Sequence, residues 1–118
     1  MGNRYEKLVA EAKSKVTEIS PAEAAAAREN GVAMIDVREK EEWAKERIPG
    51  ATHLSRGTID WKIEEKFPDT DTPIICHCGG GGRSALVAES LQKMGYKNVS
   101  SMAGGFKAWK AAGLPTEK

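Results

Sequence analysis

The sequence lacks the features of several large protein classes. It has only two cysteines, two positions apart, which do not make a disulfide framework and are better suited to redox or nucleophilic chemistry. It has no apolar run long enough to span a membrane, and residues 1–7 lack the hydrophobic core of a secretory signal. With 18 basic and 17 acidic residues and no basic run, it has no excess charge to attract nucleic acid. We therefore expect a cytoplasmic protein that binds neither membranes nor nucleic acid.

The length sets the domain organisation that we predict. A chain of 118 residues is enough for one domain with a hydrophobic core and too short for two. We predict a single domain over 1–118, with a helical extension at 1–15 and the core at 16–115. The extension is predicted as an amphipathic helix because its apolar residues recur at helical spacing.

Segments of strand type and of helix type alternate along the rest of the chain. Predicted strands lie at 17–19, 32–37, 52–54, 74–78 and 98–102, and predicted helices at 21–30, 39–46, 58–67, 84–94 and 106–112. This alternation predicts an open, mainly parallel α/β sheet with right-handed crossovers, in which ligands bind at the carboxyl ends of strands. Asp36 and Cys78 each fall at such an end.

The most informative segment follows the apolar strand at 74–78. Four glycines, Gly79, Gly80, Gly81 and Gly82, lead to Arg83 and to a helix predicted to begin at Ser84. Glycine amides can point inward as an anion-binding nest, and a helix start adds free N–H groups and the positive end of its dipole. These groups, with Arg83 as the full positive charge of the loop, are predicted to stabilise a thiolate at Cys78. A flexible linker is the alternative, which the strand and helix on either side disfavour.

Four segments together resemble the rhodanese family of sulfurtransferases. They are Ile35–Glu39 with Glu42-Trp43, Ile48–Ala51, Cys78–Ser84, and Gly104–Trp109 with Gly113–Pro115. The resemblance implies a five-stranded parallel sheet flanked by helices and a catalytic cysteine that carries sulfur as a covalent persulfide, with no other cofactor. The implied partners are a small donor such as thiosulfate or a persulfide and a thiol or cyanide acceptor, with a protein donor or acceptor left open.

The spacing of the cysteines and the loop arginine selects the nucleophile. In the rhodanese pattern the cysteine precedes the arginine by five positions, as Cys78 precedes Arg83 and Cys76 does not. Cysteine phosphatases place the arginine six positions after the cysteine, whereas six positions on from Cys76 and Cys78 stand Gly82 and Ser84. A cysteine phosphatase or arsenate reductase is therefore disfavoured. A non-catalytic sulfur-carrier or protein-interaction module stays open, because a relay domain needs the same cysteine.

The composition of the loop bears on the donor. Loop positions that often carry a cationic or polar side chain in rhodaneses are all glycine here, so that only Arg83 adds a full positive charge. Thiosulfate, a doubly charged anion, gains more binding energy from cationic side chains than other donors do. We therefore predict that persulfide donors are better substrates than thiosulfate.

The residues predicted to support the loop are Cys76, Asp36 and Arg38. Cys76 is interpreted as a buried strand residue, with a resolving thiol as the alternative. Asp36 is predicted either to hold Arg38 or Arg83 by a charge-assisted bond or merely to end its strand.

No metal site is predicted. A site made of Cys76, His77 and Cys78 is disfavoured, because tetrahedral sites need more ligands and neighbouring strand residues face opposite ways. His77 is interpreted as a hydrogen-bonded structural residue.

Overall fold

The computed structural model describes residues 3–118 and contains one sheet of five parallel strands with helices on both faces. This confirms the predicted class, an open parallel α/β sheet flanked by helices. Met1 and Gly2, the first residues of the predicted extension, lie outside the described residues. The elements are α1 (Arg4–Lys15), β1 (Thr17–Ile19), α2 (Pro21–Glu29), β2 (Ala33–Asp36), α3 (Lys40–Lys45), β3 (Thr52–His53), α4 (Ile59–Lys66), β4 (Ile74–His77), α5 (Gly82–Lys93), β5 (Val99–Met102) and α6 (Gly105–Ala111).

The strand order places β4 in the middle of the sheet. The order is β1-β5-β4-β2-β3, so β4 pairs with β5 on one side and with β2 on the other. All four residues of β4 are buried, as a strand covered on both faces requires, which explains why its first three residues, Ile74, Ile75 and Cys76, are apolar. The segment that leaves the carboxyl end of β4 therefore starts between the ends of two neighbouring strands.

The core has one hydrophobic cluster on each face of the sheet. On one face β2 and β4 pack against α4 and α5, with Ile35, Ile63 and Leu91 among the buried residues. On the other face α2 and α6 cover the sheet through a cluster that includes Met34, Met102 and Trp109. Because side chains alternate along a strand, Cys76 shares the first cluster with Cys78.

Helix α1 is an additional layer that packs on α5. It begins with a capping box, in which the Glu6 N–H donates to Asn3 Oδ1 at 2.8 Å and the Asn3 N–H donates to Glu6 Oε1 at 3.0 Å. Ala12 is fully buried and fixes one face of α1 against the molecule. Within residues 3–118, no helix has the length and apolar character that crossing a bilayer requires.

The predicted boundaries differ from the structure mainly around the glycine segment. β4 ends at His77, one residue before the predicted end, and α5 begins at Gly82, two residues before the predicted start at Ser84. The reason is the conformation of Gly81, whose φ of 99° makes it the left-handed N-cap of α5. Only glycine adopts this conformation without strain, so the chain turns into the helix earlier than its side chains indicate.

Candidate active site

The thiol of Cys78 lies at the turn from β4 into α5. The residue is 1% exposed, and its Sγ accepts a hydrogen bond from the Gly81 N–H at 3.1 Å. Since Gly81 is the N-cap of α5, the sulfur sits beside the first turn of that helix, where N–H groups lack intrahelical acceptors. The structure thus places the predicted nucleophile at the positive end of a twelve-residue helix.

Two serine hydroxyls extend from the sulfur into the protein. Ser84 Oγ lies 3.5 Å from Cys78 Sγ and 2.8 Å from Ser101 Oγ, and both serines are fully buried. If Ser101 donates to Ser84, the Ser84 proton is free to point at the sulfur. Sequence reasoning missed Ser101. The feature that could have indicated it is a polar residue near the carboxyl end of β5, the strand that pairs with β4.

The balance of these contacts lowers the pKa of the Cys78 thiol. Burial, the largest single influence, raises this pKa, but several hydrogen bonds together outweigh it. They come from the Ser84 hydroxyl and from the backbone N–H groups of Ser84, Gly81 and Gly80. The sulfur is therefore held in surroundings that favour the thiolate, which is the reactive form of cysteine.

The predicted nest of four glycines is only partly realised. The amides of Gly80 and Gly81 act on the sulfur, whereas the other two glycines allow side chains to come close. A Cβ at Gly79 would lie 3.0 Å from Arg83 Nη2, and a Cβ at Gly82 would lie 3.1 Å from the Tyr5 hydroxyl. The third backbone donor is Ser84 rather than a glycine.

The start of α6 holds the loop from its other side. The Phe106 N–H donates to the Cys78 carbonyl at 2.7 Å, and the Lys107 N–H donates to the Gly79 carbonyl at 3.1 Å. A Cβ at Gly105 would lie 2.5 Å from the Cys78 carbonyl oxygen and 2.7 Å from the Gly79 carbonyl carbon, so no larger residue fits there. This packing supplies the stabilisation that a glycine-rich loop needs to stay ordered.

Arg83, predicted to add the full positive charge of the loop, is paired with the Glu42 carboxylate, which raises the pKa of the guanidinium, and the negative charge of Cys78 also contributes to that rise. The guanidinium donates two hydrogen bonds to the Glu42 carboxylate, Nη1 to Oε1 at 2.6 Å and Nη2 to Oε2 at 3.0 Å. These bonds are the main cause that lowers the pKa of Glu42 to about 2. The pair is therefore ionised and neutral overall. Sequence reasoning missed the role of Glu42, because 41 positions separate it from Arg83.

Asp36 binds Arg38 rather than Arg83. The Arg38 Nε and Nη2 groups donate to the Asp36 carboxylate at 2.8 to 3.1 Å, and both side chains are buried. The Arg38 guanidinium lies over the Phe106 ring, 4.3 Å from its centroid. Because the Phe106 N–H binds the Cys78 carbonyl, this ion pair supports the loop from behind and does not contact the sulfur.

Cys76 and His77 precede the nucleophile inside the sheet. Cys76 is fully buried, and burial together with the charge of Cys78 raises the pKa of its thiol to about 12. This favours the buried-strand interpretation over a resolving thiol. The prediction that His77 is hydrogen-bonded was wrong: within residues 3–118 neither ring nitrogen makes a hydrogen bond of normal geometry. Burial lowers the pKa of His77 to about 4, although the nearby Asp36 charge and Cys78 backbone raise it in part.

A cavity of about 510 Å³ opens beside Cys78. The loop and the start of α5 form one wall, and α1 forms the other. The wall from the loop side comprises Cys78, Gly80, Gly82 and Arg83, and the wall from α1 comprises Tyr5, Glu6, Val9, Ala10 and Lys13. Nothing in the sequence indicated that the N-terminal helix borders the site, since α1 reaches it only through packing on α5.

Comparison with known proteins gives a consistent result. The model of the rhodanese-like domain family matches residues 20–112. The chain is 39% identical over 100 residues to the thiosulfate sulfurtransferase GlpE of Haemophilus influenzae, an alignment that covers 85% of this chain and 93% of that protein.

Two solved structures match almost the whole chain. One is a protein of unknown function and possible tyrosine phosphatase from Rhodopseudomonas palustris, with a TM-score of 0.89, 32% identity, and coverage of 99% of this chain and 96% of that one. The other is the homodimeric polysulfide-sulfur transferase of Wolinella succinogenes, with a TM-score of 0.83, 25% identity, and coverage of 96% and 86%.

Proposed function

Because the chain belongs to the rhodanese-like domain family and is a rhodanese-type sulfurtransferase, we propose that Cys78 carries the transferred sulfur as a persulfide. The observation that supports this proposal is the set of hydrogen-bond donors around the Cys78 sulfur. Backbone N–H groups and the Ser84 hydroxyl converge on Cys78 and lower the pKa of its thiol, while Cys76 is fully buried and has a raised pKa. Of the two cysteines, both in the described part of the chain, only Cys78 combines a stabilised thiolate with a place on the cavity wall.

The reaction has two steps. The Cys78 thiolate attacks the outer sulfur of the donor. The donor's S–S bond breaks, and its electron pair goes to the inner sulfur, which leaves. With thiosulfate as donor the leaving group is sulfite, and with an organic persulfide R–S–SH it is the thiolate R–S⁻. In the second step an acceptor attacks the outer sulfur of the Cys78 persulfide, and the electron pair of that S–S bond returns to Cys78. A thiolate acceptor becomes a persulfide, and cyanide becomes thiocyanate.

The groups around Cys78 stabilise negative charge at both stages. The Gly81 N–H and the Ser84 hydroxyl are in place for the thiolate before attack, and they remain in place for the anion that forms at the persulfide. The two steps are balanced in electrons, so the proposal needs no redox cofactor or metal. The proposed partners are a small sulfur donor and a thiol or cyanide acceptor, with a protein donor or acceptor as the alternative. The cytoplasmic location stays a prediction.

The phosphatase alternative has less support from the site. Cysteine phosphatases place the loop arginine six positions after the cysteine, whereas Arg83 follows Cys78 by five, which leaves a smaller loop around the sulfur. The carrier alternative uses the same Cys78 persulfide and differs only in the identity of donor and acceptor.

Intact mass spectrometry tests the proposal. The protein is incubated separately with thiosulfate, glutathione persulfide and p-nitrophenyl phosphate, and Cys76→Ser and Cys78→Ser variants are treated in parallel. With either sulfur donor, we expect the parent and Cys76→Ser to gain the mass of one sulfur atom and Cys78→Ser to gain none. Release of p-nitrophenol without any sulfur adduct would support the phosphatase instead. Sulfur uptake with no transfer to cyanide or small thiols would support a carrier.

A further inference from the structure

Helix α1 lies outside the part of the chain that the rhodanese-like domain model matches, yet it borders the proposed active site. The model begins at residue 20, and α1 ends at Lys15. Five residues of α1 line the cavity beside Cys78. The helix therefore lies outside the segment that the family model matches and still contributes to the surroundings of the nucleophile.

The residues of α1 that face the cavity share one side of the helix. Tyr5, Val9 and Lys13 are spaced four positions apart, so they form one row along it. Two members of the row, Tyr5 and Val9, approach the start of α5, since a Cβ at Gly82 would lie 3.1 Å from the Tyr5 hydroxyl and 3.3 Å from Val9 Cγ2. Tyr5 is nevertheless 44% exposed, so its ring is available to a ligand in the cavity.

The size of the cavity and the apolar side chains on its α1 wall fit an organic donor better than an inorganic one. A volume of about 510 Å³ is in the range of sites for small organic molecules. Thiosulfate is a compact dianion whose sulfonate group needs cations or hydrogen-bond donors close to the reacting sulfur. The guanidinium of Arg83 is already neutralised by Glu42. Lys13 lies eight positions along α1 from Tyr5, about 12 Å away, which suits a longer donor better than thiosulfate. The aliphatic side chain of Val9 and the ring of Tyr5 offer contact to carbon atoms.

Lys13 adds a cation at one end of the row. Its Nζ lies 3.9 Å from Glu18 Oε2 and its side chain is 38% exposed, so this ion pair is weak and leaves the ammonium able to reach a ligand. A carboxylate on the far end of a donor would meet a positive charge there. Amino-acid and peptide persulfides carry such carboxylates.

We propose that α1 is the wall that binds the carbon portion of an organic persulfide, with Tyr5 and Val9 packing on its chain and Lys13 pairing with a carboxylate. This inference rests on the proposed function of Cys78 and names the substrate class of the same site. The donor gives its outer sulfur to the Cys78 thiolate and leaves along α1 as a thiolate.

The test compares two donors in variants of one helix face. Steady-state kinetics with cyanide as acceptor are measured for glutathione persulfide and for thiosulfate in the parent, in Tyr5→Ala/Val9→Ala, and in Leu8→Ala. Leu8 is the matched control, because it lies on α1, is 56% exposed and does not line the cavity. In the double variant we expect KM for glutathione persulfide to rise roughly tenfold, with kcat/KM for thiosulfate kept within about twofold. Leu8→Ala should match the parent with both donors.

An equal fall with both donors would overturn the inference, because it would mean that α1 only supports the loop. Parent-like kinetics in the double variant would overturn it as well. If the double variant loses its thermal unfolding transition, Lys13→Gln with Lys7→Gln as control provides the test. We expect Lys13→Gln to raise KM for glutathione persulfide several-fold and to leave hydroxyethyl persulfide, which has no carboxylate, unchanged. An unchanged KM for glutathione persulfide would contradict the inference.

The two proposals fail in different ways. If the parent takes sulfur from neither donor, the proposed function itself is wrong. If the parent uses both donors and the α1 variants keep its ratio of kcat/KM values, only the role of α1 is wrong.

Discussion

The Arg83 guanidinium and the Glu42 carboxylate form a two-point ion pair, with N···O distances of 2.6 and 3.0 Å. The pair joins the first turn of α5 to α3 across the mouth of the loop that carries Cys78. Because Glu42 cancels the charge of Arg83, the site attracts a doubly charged donor less than the sequence indicated. Glu42 is thus a second reason, besides the glycines of the loop, to expect weak binding of thiosulfate.

The first prediction is that Glu42→Gln improves the use of thiosulfate. The substitution keeps the shape of the side chain and leaves Arg83 with a net charge next to the donor. We expect KM for thiosulfate to fall roughly threefold to fivefold at low salt, and the gain to shrink as ionic strength rises. Glu41→Gln, an exposed neighbour on α3, is the control for loss of one negative charge. A KM that is unchanged, or that falls equally in Glu41→Gln, would contradict this account of Arg83.

The second prediction concerns the pair of hydroxyls behind the sulfur. Ser84→Ala removes a donor to Cys78 and should raise the pKa of its thiol, and Ser101→Ala should raise it less, because Ser101 acts through Ser84. Loss of one such hydrogen bond should slow sulfur uptake at neutral pH roughly fivefold. The measurement is the pH dependence of iodoacetamide alkylation in the Cys76→Ser background. Ser100→Ala, on the same strand, is the control. A profile for Ser101→Ala that matches the control would show that Ser101 does not orient Ser84.

The third prediction follows from the close approach of Gly105 to the loop. Gly105→Ala would place a Cβ 2.5 Å from the Cys78 carbonyl oxygen, in addition to requiring the left-handed φ of 59°. We expect a loss of about 3 kcal/mol in the free energy of unfolding. Gly113→Ala is the control, since Gly113 has a similar φ of 76° but no atom of residues 3–118 lies within 4 Å of the added carbon. This variant should lose only about 1 kcal/mol. Urea denaturation measures both, and equal losses would show that backbone strain alone matters.

The fourth prediction is a pH dependence of stability that comes from His77. Burial lowers the pKa of His77 to about 4 in the folded protein, from 6.5 for an unperturbed histidine. Between these two values the unfolded chain binds more protons, so the free energy of unfolding falls as pH falls through this window. The slope contributed by one group is at most about 1.4 kcal/mol per pH unit. His77→Leu should flatten the curve between pH 6.5 and 5, and a slope equal to that of the parent would contradict the buried neutral ring.

Much of the fold could be predicted from the sequence because its signals are local. The apolar residues Ile74, Ile75 and Cys76 of β4, the helical spacing of apolar residues in α1, and the alternation of elements each depend on neighbours in the chain. The start of α5 was misplaced because a left-handed glycine, rather than a side-chain cap, begins it. Cys78 lies between β4 and α5, at the strand-to-helix turn that the sequence predicts.

What the sequence did not reveal depends on packing between distant segments. Glu42 meets Arg83 across 41 positions, and Ser101 meets Ser84 across 17. Tyr5 reaches the loop only because α1 packs along α5. Such pairings follow from the relative placement of elements, which residue patterns within each element do not specify.

The most direct test of the account is a single-turnover transfer through Cys78. Cys76→Ser and Cys78→Ser are each incubated with glutathione persulfide, freed of excess donor by rapid desalting, and mixed with cyanide, and the thiocyanate released per protein molecule is measured. The account predicts close to one thiocyanate per molecule of Cys76→Ser and none from Cys78→Ser. Equal release from the two variants, or release only from Cys78→Ser, would contradict the claim that Cys78 carries the sulfur.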